Sequence, residues 1–180
     1  MKKIYLYYHR GKVTTLRIAK RNQKGYYDID DVICWFLAKD SMSPKKLQKL
    51  LYYAYAWTLT LGNESVDSLK NRLFEEKFQA WVHGPVVPSV YHRFKHYGFS
   101  NIPQNKNDKV VFDEDVENVL NQVWEVYGGY NGNELESMTH QEDPWKNARK
   151  GLSPIEPSTN IISDKDIFTF YLKEMIEANE

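Results

Sequence analysis

The sequence predicts a mainly α fold: a compact single-domain helical bundle with a short N-terminal β-hairpin and one further short strand pair. Three observations carry this expectation. Capped apolar stripes at the helical period recur along most of the chain and are best developed at residues 42–61. β-prone residues concentrate near the N-terminus, where residues 4–8 and 13–18 flank Arg10-Gly11-Lys12. A chain of 180 residues, 42% of them hydrophobic, supports one core but hardly two. The domain reading is a basic extension over residues 1–27 followed by a helical domain over 28–180.

Asp28 opens the first helix, with acids Asp30 and Asp31 in its first turn and Ile29, Val32, Ile33, Phe36 and Leu37 on its apolar face. The second is capped by Ser43, started by Pro44 and ended by Gly62. Its stripe of Leu47, Leu50, Leu51, Ala54, Trp57, Thr58 and Leu61 reads as one apolar face. Lys45, Lys46, Gln48 and Lys49 fall in the first two turns, where the helix dipole disfavours cations, so the lysines are expected to find polar contacts inside the fold.

Residues 74–82 read as extended up to a breaker, His83-Gly84-Pro85. Pro88 opens a short helix carrying Val90, Tyr91, Phe94 and Tyr97, with Gly98 at its end. A short strand is expected over 109–112 and a helix over 113–127, stopped by Gly128-Gly129. Short helices follow over 133–139 and 144–150, then a loop marked by Pro154 and Pro157. Ser163 caps the last helix, with Asp166 as a partial capping box and Ile167, Phe170, Tyr171, Leu172, Met175 and Ile176 on the inward face.

Composition narrows the chemistry. The net charge is zero, so no global field draws the chain to nucleic acid or membrane, and no segment approaches the ~20 apolar residues of a membrane span. Aromatic residues reach 14%, led by 13 tyrosines, which suits interfaces as well as cores. Charge is unevenly spread: residues 1–25 hold eight Lys or Arg and no acid, whereas residues 113–180 hold fifteen acids against five bases. These two ends either complement each other within the fold or face different partners. The single cysteine, Cys34, sits on an apolar stripe and reads as a buried, inert thiol. No secretory leader pattern opens the chain, and a cytoplasmic location is expected.

No phosphate loop, nucleophile elbow or paired-carboxylate pattern appears. His92 and His96 share a helical face and are capable of metal binding, but the glutamate a zincin needs beside the first histidine is missing. A metalloenzyme built on His83, His92, His96 and His140 is therefore the remote alternative, and the expectation is no enzyme, no cofactor and no metal. Nucleic-acid contact through the basic arm is the nearer alternative.

Four segments in order resemble a known family. They are Ser43-Pro44-Lys45-Lys46-Leu47-Gln48-Lys49-Leu50-Leu51-Tyr52-Tyr53-Ala54, Ala80-Trp81-Val82-His83-Gly84-Pro85-Val86-Val87-Pro88-Ser89-Val90-Tyr91, Glu134-Leu135-Glu136-Ser137-Met138-Thr139-His140, and Asp143-Pro144-Trp145-Lys146-Asn147-Ala148-Arg149. Together they look like the Panacea domain, or SocA-like antitoxin domain, over residues 28–152. The resemblance implies a mostly helical antitoxin of a bacterial or phage toxin–antitoxin pair, which neutralises a cognate protein toxin by direct binding. It also implies that a protease is a further partner where the domain acts as an adaptor. The family has no established catalytic residue. Trp81, Gly84, Pro85 and Trp145 are assigned to architecture. Lys46, Lys49, Tyr53, His83 and Tyr91, with Arg10 and Arg17 of the basic arm, are the candidates for partner contact. The toxin's identity and the oligomeric state stay open.

Overall fold

The chain runs from a hairpin, β1 (Ile4–His9) and β2 (Lys12–Ile18), into two helices, α1 (Ile29–Lys39) and α2 (Pro44–Leu61). A second hairpin follows, β3 (Gln79–Trp81) and β4 (Gly84–Val86), then α3 (Pro88–Phe94), a 3-10 turn at Lys95–Tyr97 and β5 (Asp108–Val111). Four helices complete it: α4 (Glu114–Tyr127), α5 (Gly132–Thr139), α6 (Asp143–Ala148) and α7 (Asp164–Glu177). The computed structural model describes the backbone of residues 4–9 and 12–178 and the side chains of residues 16–178. The fold is mainly α, as the capped stripes predict.

Helix α2 is the centre. Ser43 accepts the Lys46 amide, Pro44 takes the first turn and Gly62 closes the last. α4, α5 and α7 pack on it from different sides, and β4 closes a further one. Residues 47–56 are buried without interruption, so the one-face reading is corrected: α2 is covered all round. Tyr52, Tyr53, Tyr55, Gln48 and Lys49, none of them in the predicted stripe, are buried, while Leu61 is 53% exposed. The physical reason lies in the tyrosines. Each brings an apolar ring with one polar tip, and such a tip can be buried when its hydroxyl finds an acceptor. Tyr53 donates to Glu142 and Tyr55 to Asp164, both at 2.9 Å.

β1 and β2 pair antiparallel from Ile4↔Arg17 to His9↔Lys12, and β2 pairs in parallel with β5 from Thr15↔Asp108 to Ile18↔Val111. The hairpin is thereby stitched to a strand far along the chain. The basic arm is also tied down by charge. Arg17 meets buried Asp31 at 3.1 Å, Arg21 meets Asp113 at 3.4 Å and Lys24 meets Glu75 at 2.5 Å. The Arg21–Asp113 pair joins the basic front to the acidic rear within one molecule. Arg10 lies outside the described residues. Cys34 is half-buried beside Arg17, and burial pushes its thiol up, away from the reactive thiolate.

Two further expectations are corrected. The extended segment does break, at a turn over Val82 and His83, but Gly84-Pro85 lies beyond the break, because Gly84–Val86 forms β4, with Pro85 opposite Ala80. Pro85 is tolerated in this strand because β4 lies at the end of its two-stranded sheet, where a missing amide costs no ladder bond. On α7, Phe168 rather than Ile176 is buried with Ile167 and Tyr171, and Ile176 faces solvent. Ser163 does cap this helix, accepting the Lys165 amide.

Candidate partner-binding face

The β3–β4 hairpin has its polar groups held by side chains from two helices. Gln48 of α2 donates to the Val87 carbonyl (3.1 Å) and accepts the Val87 amide (2.9 Å). From the next residue, the Lys49 ammonium donates to the Pro85 carbonyl at 3.1 Å. From α6, the Trp145 indole donates to the Trp81 carbonyl at 3.0 Å. Just beyond it the Arg149 guanidinium donates to the Ala80 carbonyl at 2.9 Å. On the outer flank of β3, the Ala80 amide donates to the Asn160 carbonyl and the Ile162 amide to the Phe78 carbonyl. Buried backbone polar groups demand partners, and this hairpin obtains them from residues scattered over 100 positions of sequence.

Gly84 makes the clamp possible. Its φ of +90° suits glycine, and a Cβ there would stand 2.7 Å from Lys49 Cε and 2.8 Å from Thr139 Oγ1. Burial without a paired carboxylate pushes the Lys49 amine down to about 7, although Glu136 acts in the opposite sense. Behind it, Glu142 accepts from Tyr53 and Tyr171, each at 2.9 Å, and Tyr53 stacks on Tyr127 with ring centroids 3.8 Å apart. Burial raises the Glu142 carboxyl to about 7, against the pull of those hydroxyls.

The outward side of the hairpin is different in kind. His83, at its tip, has a side chain 70% exposed, with Nδ1 2.8 Å from Glu136 Oε1. Lys45 meets the other oxygen of the same carboxylate at 2.6 Å and Asn133 at 2.9 Å. Burial alone would raise the Glu136 carboxyl, but the Lys45 and His83 contacts outweigh it and hold it below the ordinary range. The half-buried Trp81 ring meets the ring of Tyr91, 38% exposed, at 4.8 Å between centroids. Across β3, half-exposed Ile161 stands opposite Gln79. His140 stacks on Trp145 at 4.0 Å, and burial pushes its imidazole down. The arrangement offers aromatic and imidazole groups on a backbone that is fixed from behind.

The sequence candidates therefore divide. Tyr91 stands against the Trp81 ring, and His83 is exposed at the hairpin tip beside Glu136. Lys49 and Tyr53, expected as surface groups, are buried at 1% exposure each and face inward. Lys46 is spent on the Gly128 carbonyl at 2.6 Å, the open C-terminal end of α4 that attracts a cation. Arg17, on β2, is held by Asp31 of α1. His92 lies in α3 and His96 in the following 3-10 turn, where the helical spacing of four no longer holds. Among the described residues, no group of three or more His, Cys, Asp or Glu is placed to hold a metal ion. Gln48 and Arg149 were not foreseen as clamp residues. Their signal was present, since both sit inside the motif segments, but a lone polar residue on a helix does not announce which carbonyl it will meet.

Fold and site together define a mainly α domain organised round one clamped β-hairpin. A family model described as antitoxin SocA-like, Panacea domain, matches residues 47–146, which takes in most of α2, the β3–β4 hairpin, α3–α5 and Trp145. The chain belongs to that family. No curated protein and no solved structure matches the chain.

Proposed function

We propose that this protein is the antitoxin of a toxin–antitoxin pair and neutralises a cognate protein toxin by direct binding, acting in the cytoplasm without catalysis. Membership of the antitoxin family supports the class of partner. The observation that carries the mode of binding is the clamped hairpin, which presents Trp81 and His83 on a backbone already fixed before any partner arrives, with Tyr91 of α3 against the Trp81 ring. Pre-organised aromatic groups lose little conformational freedom on docking, and such residues dominate interface energetics. Arg17, Arg21 and Lys24 are engaged with acids of the same chain, which weakens the reading of the arm as a phosphate-binding surface.

Co-expression with the protein encoded by the neighbouring gene tests the reading. Growth restored by the wild-type chain, together with a complex that co-purifies, is the expected result. A toxic neighbour whose effect this chain leaves untouched would overturn it.

A further inference from the structure

Beyond the family match, which ends at residue 146, the chain returns along the outer flank of β3 and adds a short third strand to the hairpin. Ile161 pairs antiparallel with Gln79. The bonds run from the Ala80 amide to the Asn160 carbonyl and from the Ile162 amide to the Phe78 carbonyl, each 2.8 Å. They belong to the neighbours on either side, which makes Gln79 and Ile161 a non-hydrogen-bonded pair. The Ile161 N–H and C=O therefore point away from β3. Among the described residues they have no partner, and neither do the backbone groups of Thr159, two positions earlier. Thr159 and Ile161 thus form an open strand edge.

This edge is fixed in place by the rest of the chain. The Asn160 side-chain amide donates to the Ala148 carbonyl at 2.9 Å, and its backbone amide donates to Ser158 Oγ at 3.1 Å. Buried Arg149 holds the preceding loop through the carbonyls of Ser153, Pro154 and Glu156. Ile161, Ile162 and Ser163 border a groove of about 470 Å³, shared with Val66, Asp67 and Leu69 of the α2–β3 connection. The edge is also continuous with the candidate face. Ile161 lies on the same side of the sheet as Gln79 and, two residues along β3, Trp81. The Trp81 indole donates to the Gln79 side chain at 2.8 Å, and its ring meets Tyr91. One row therefore runs from half-exposed Ile161 at the open edge to Tyr91.

Unpaired N–H and C=O groups in strand register are the template for another extended backbone. Long edges of this kind invite indiscriminate pairing, but this one is short. Pro157, which has no amide, precedes it, and α7 begins at Asp164. We infer that the edge at Thr159 and Ile161 receives one short extended segment of the partner protein, which adds a strand to this sheet and continues the contact onto Trp81 and Tyr91. This rests on the antitoxin reading and deepens it. Main-chain bonds supply part of the affinity whatever side chains the segment carries, and the Ile161–Gln79–Trp81 row supplies the selection among segments.

The test uses the purified full chain and the protein of the neighbouring gene. Ile161→Pro removes the outward amide without removing a bond to β3. It is expected to weaken binding about 10- to 100-fold, because a strand bond is lost and a partner carbonyl is left unpaired. Ile161→Ala keeps the amide and should bind more tightly than Ile161→Pro. Hydrogen exchange on the wild type decides the matter where the proline variant fails to fold. The Thr159 and Ile161 amides should exchange freely in the isolated chain and at least about tenfold more slowly in the complex. Wild-type binding by a folded Ile161→Pro, equal losses from the alanine and proline variants, or amides that stay fast in the complex would overturn the inference while leaving the antitoxin reading standing. Protection that grows with the chain's own concentration would also overturn it, by giving the edge to a second copy. Absence of binding by the wild type would remove both.

Discussion

Lys49→Met isolates the cost of the buried amine. In the folded chain its pKa is near 7, against an ordinary 10.5. Between these values the unfolded chain holds a proton that the folded chain has released, so stability from this group rises with pH across that window. Below pH 7 both states are protonated and the full penalty is present; above 10.5 it vanishes. A difference of about 3.5 units corresponds to at most about 5 kcal/mol. Replacement by Met removes that penalty but leaves the Pro85 carbonyl unpaired, which costs about 1–3 kcal/mol. At pH 7 the variant should therefore be no less stable than the wild type. Urea unfolding at pH 7 and 9.5 supplies the decisive comparison, with the wild type expected to gain about 3 kcal/mol on the variant over that interval. Titration of the buried tyrosines is common to both chains and cancels in the difference. Parallel stability profiles would refute the reasoning, because they would mean that the ammonium keeps its proton inside the clamp.

The other expectations use the same logic. Glu142 has its carboxyl raised from 4.5 to about 7, so its contribution is present below pH 4.5 and lost as pH rises through 7. Between pH 5 and 8 the wild type should lose roughly 2–3 kcal/mol relative to Glu142→Gln in denaturant unfolding. Gly84→Ala should cost about 2 kcal/mol or more, seen as a lower denaturation midpoint, because it combines a φ of +90° with a Cβ 2.7 Å from Lys49. Trp145→Phe keeps a ring but leaves the Trp81 carbonyl without its donor, and a loss of about 1–2 kcal/mol should appear as a reduced Tm. His83→Ala should leave Tm within error and, on the proposed reading, weaken toxin binding measured by calorimetry.

Local signals in the sequence reached the helix starts and stops because caps act over three or four residues. Ser43, Asp28 and Ser163 each bond an amide two or three positions on, so their meaning is carried beside them. Long-range meaning was not legible in that way. The parallel pairing of β2 with β5 depends on where α1 and α4 deliver the strands, and no pattern within Val13–Ile18 encodes it. The same holds for α2. Its tyrosines and Lys49 look like a polar flank until Glu142, Asp164 and Pro85 arrive from other elements to pair with them. Of the candidate face, His83 was legible as a surface group and Tyr91 as a candidate for partner contact, whereas the bonds from Gln48 and Arg149 to the hairpin were not.

The inward commitments have a consequence for recognition. Gln48, Lys49, Tyr53, Trp145 and Arg149 all belong to the segments that mark the family resemblance, and all are bonded to groups of the same chain. A side chain whose hydrogen bonds are spent inside cannot offer them to a partner without leaving a buried carbonyl or carboxylate unpaired, at a cost of about 1–3 kcal/mol for each group. On the proposed reading, contact comes from what the clamp leaves outside: His83 at the hairpin tip and Tyr91 against Trp81. These positions can change without disturbing the bonds that hold the hairpin. On the proposed reading, the frame and the recognition surface are thus separable, and exchange of exposed residues alone should redirect binding while the fold keeps its stability.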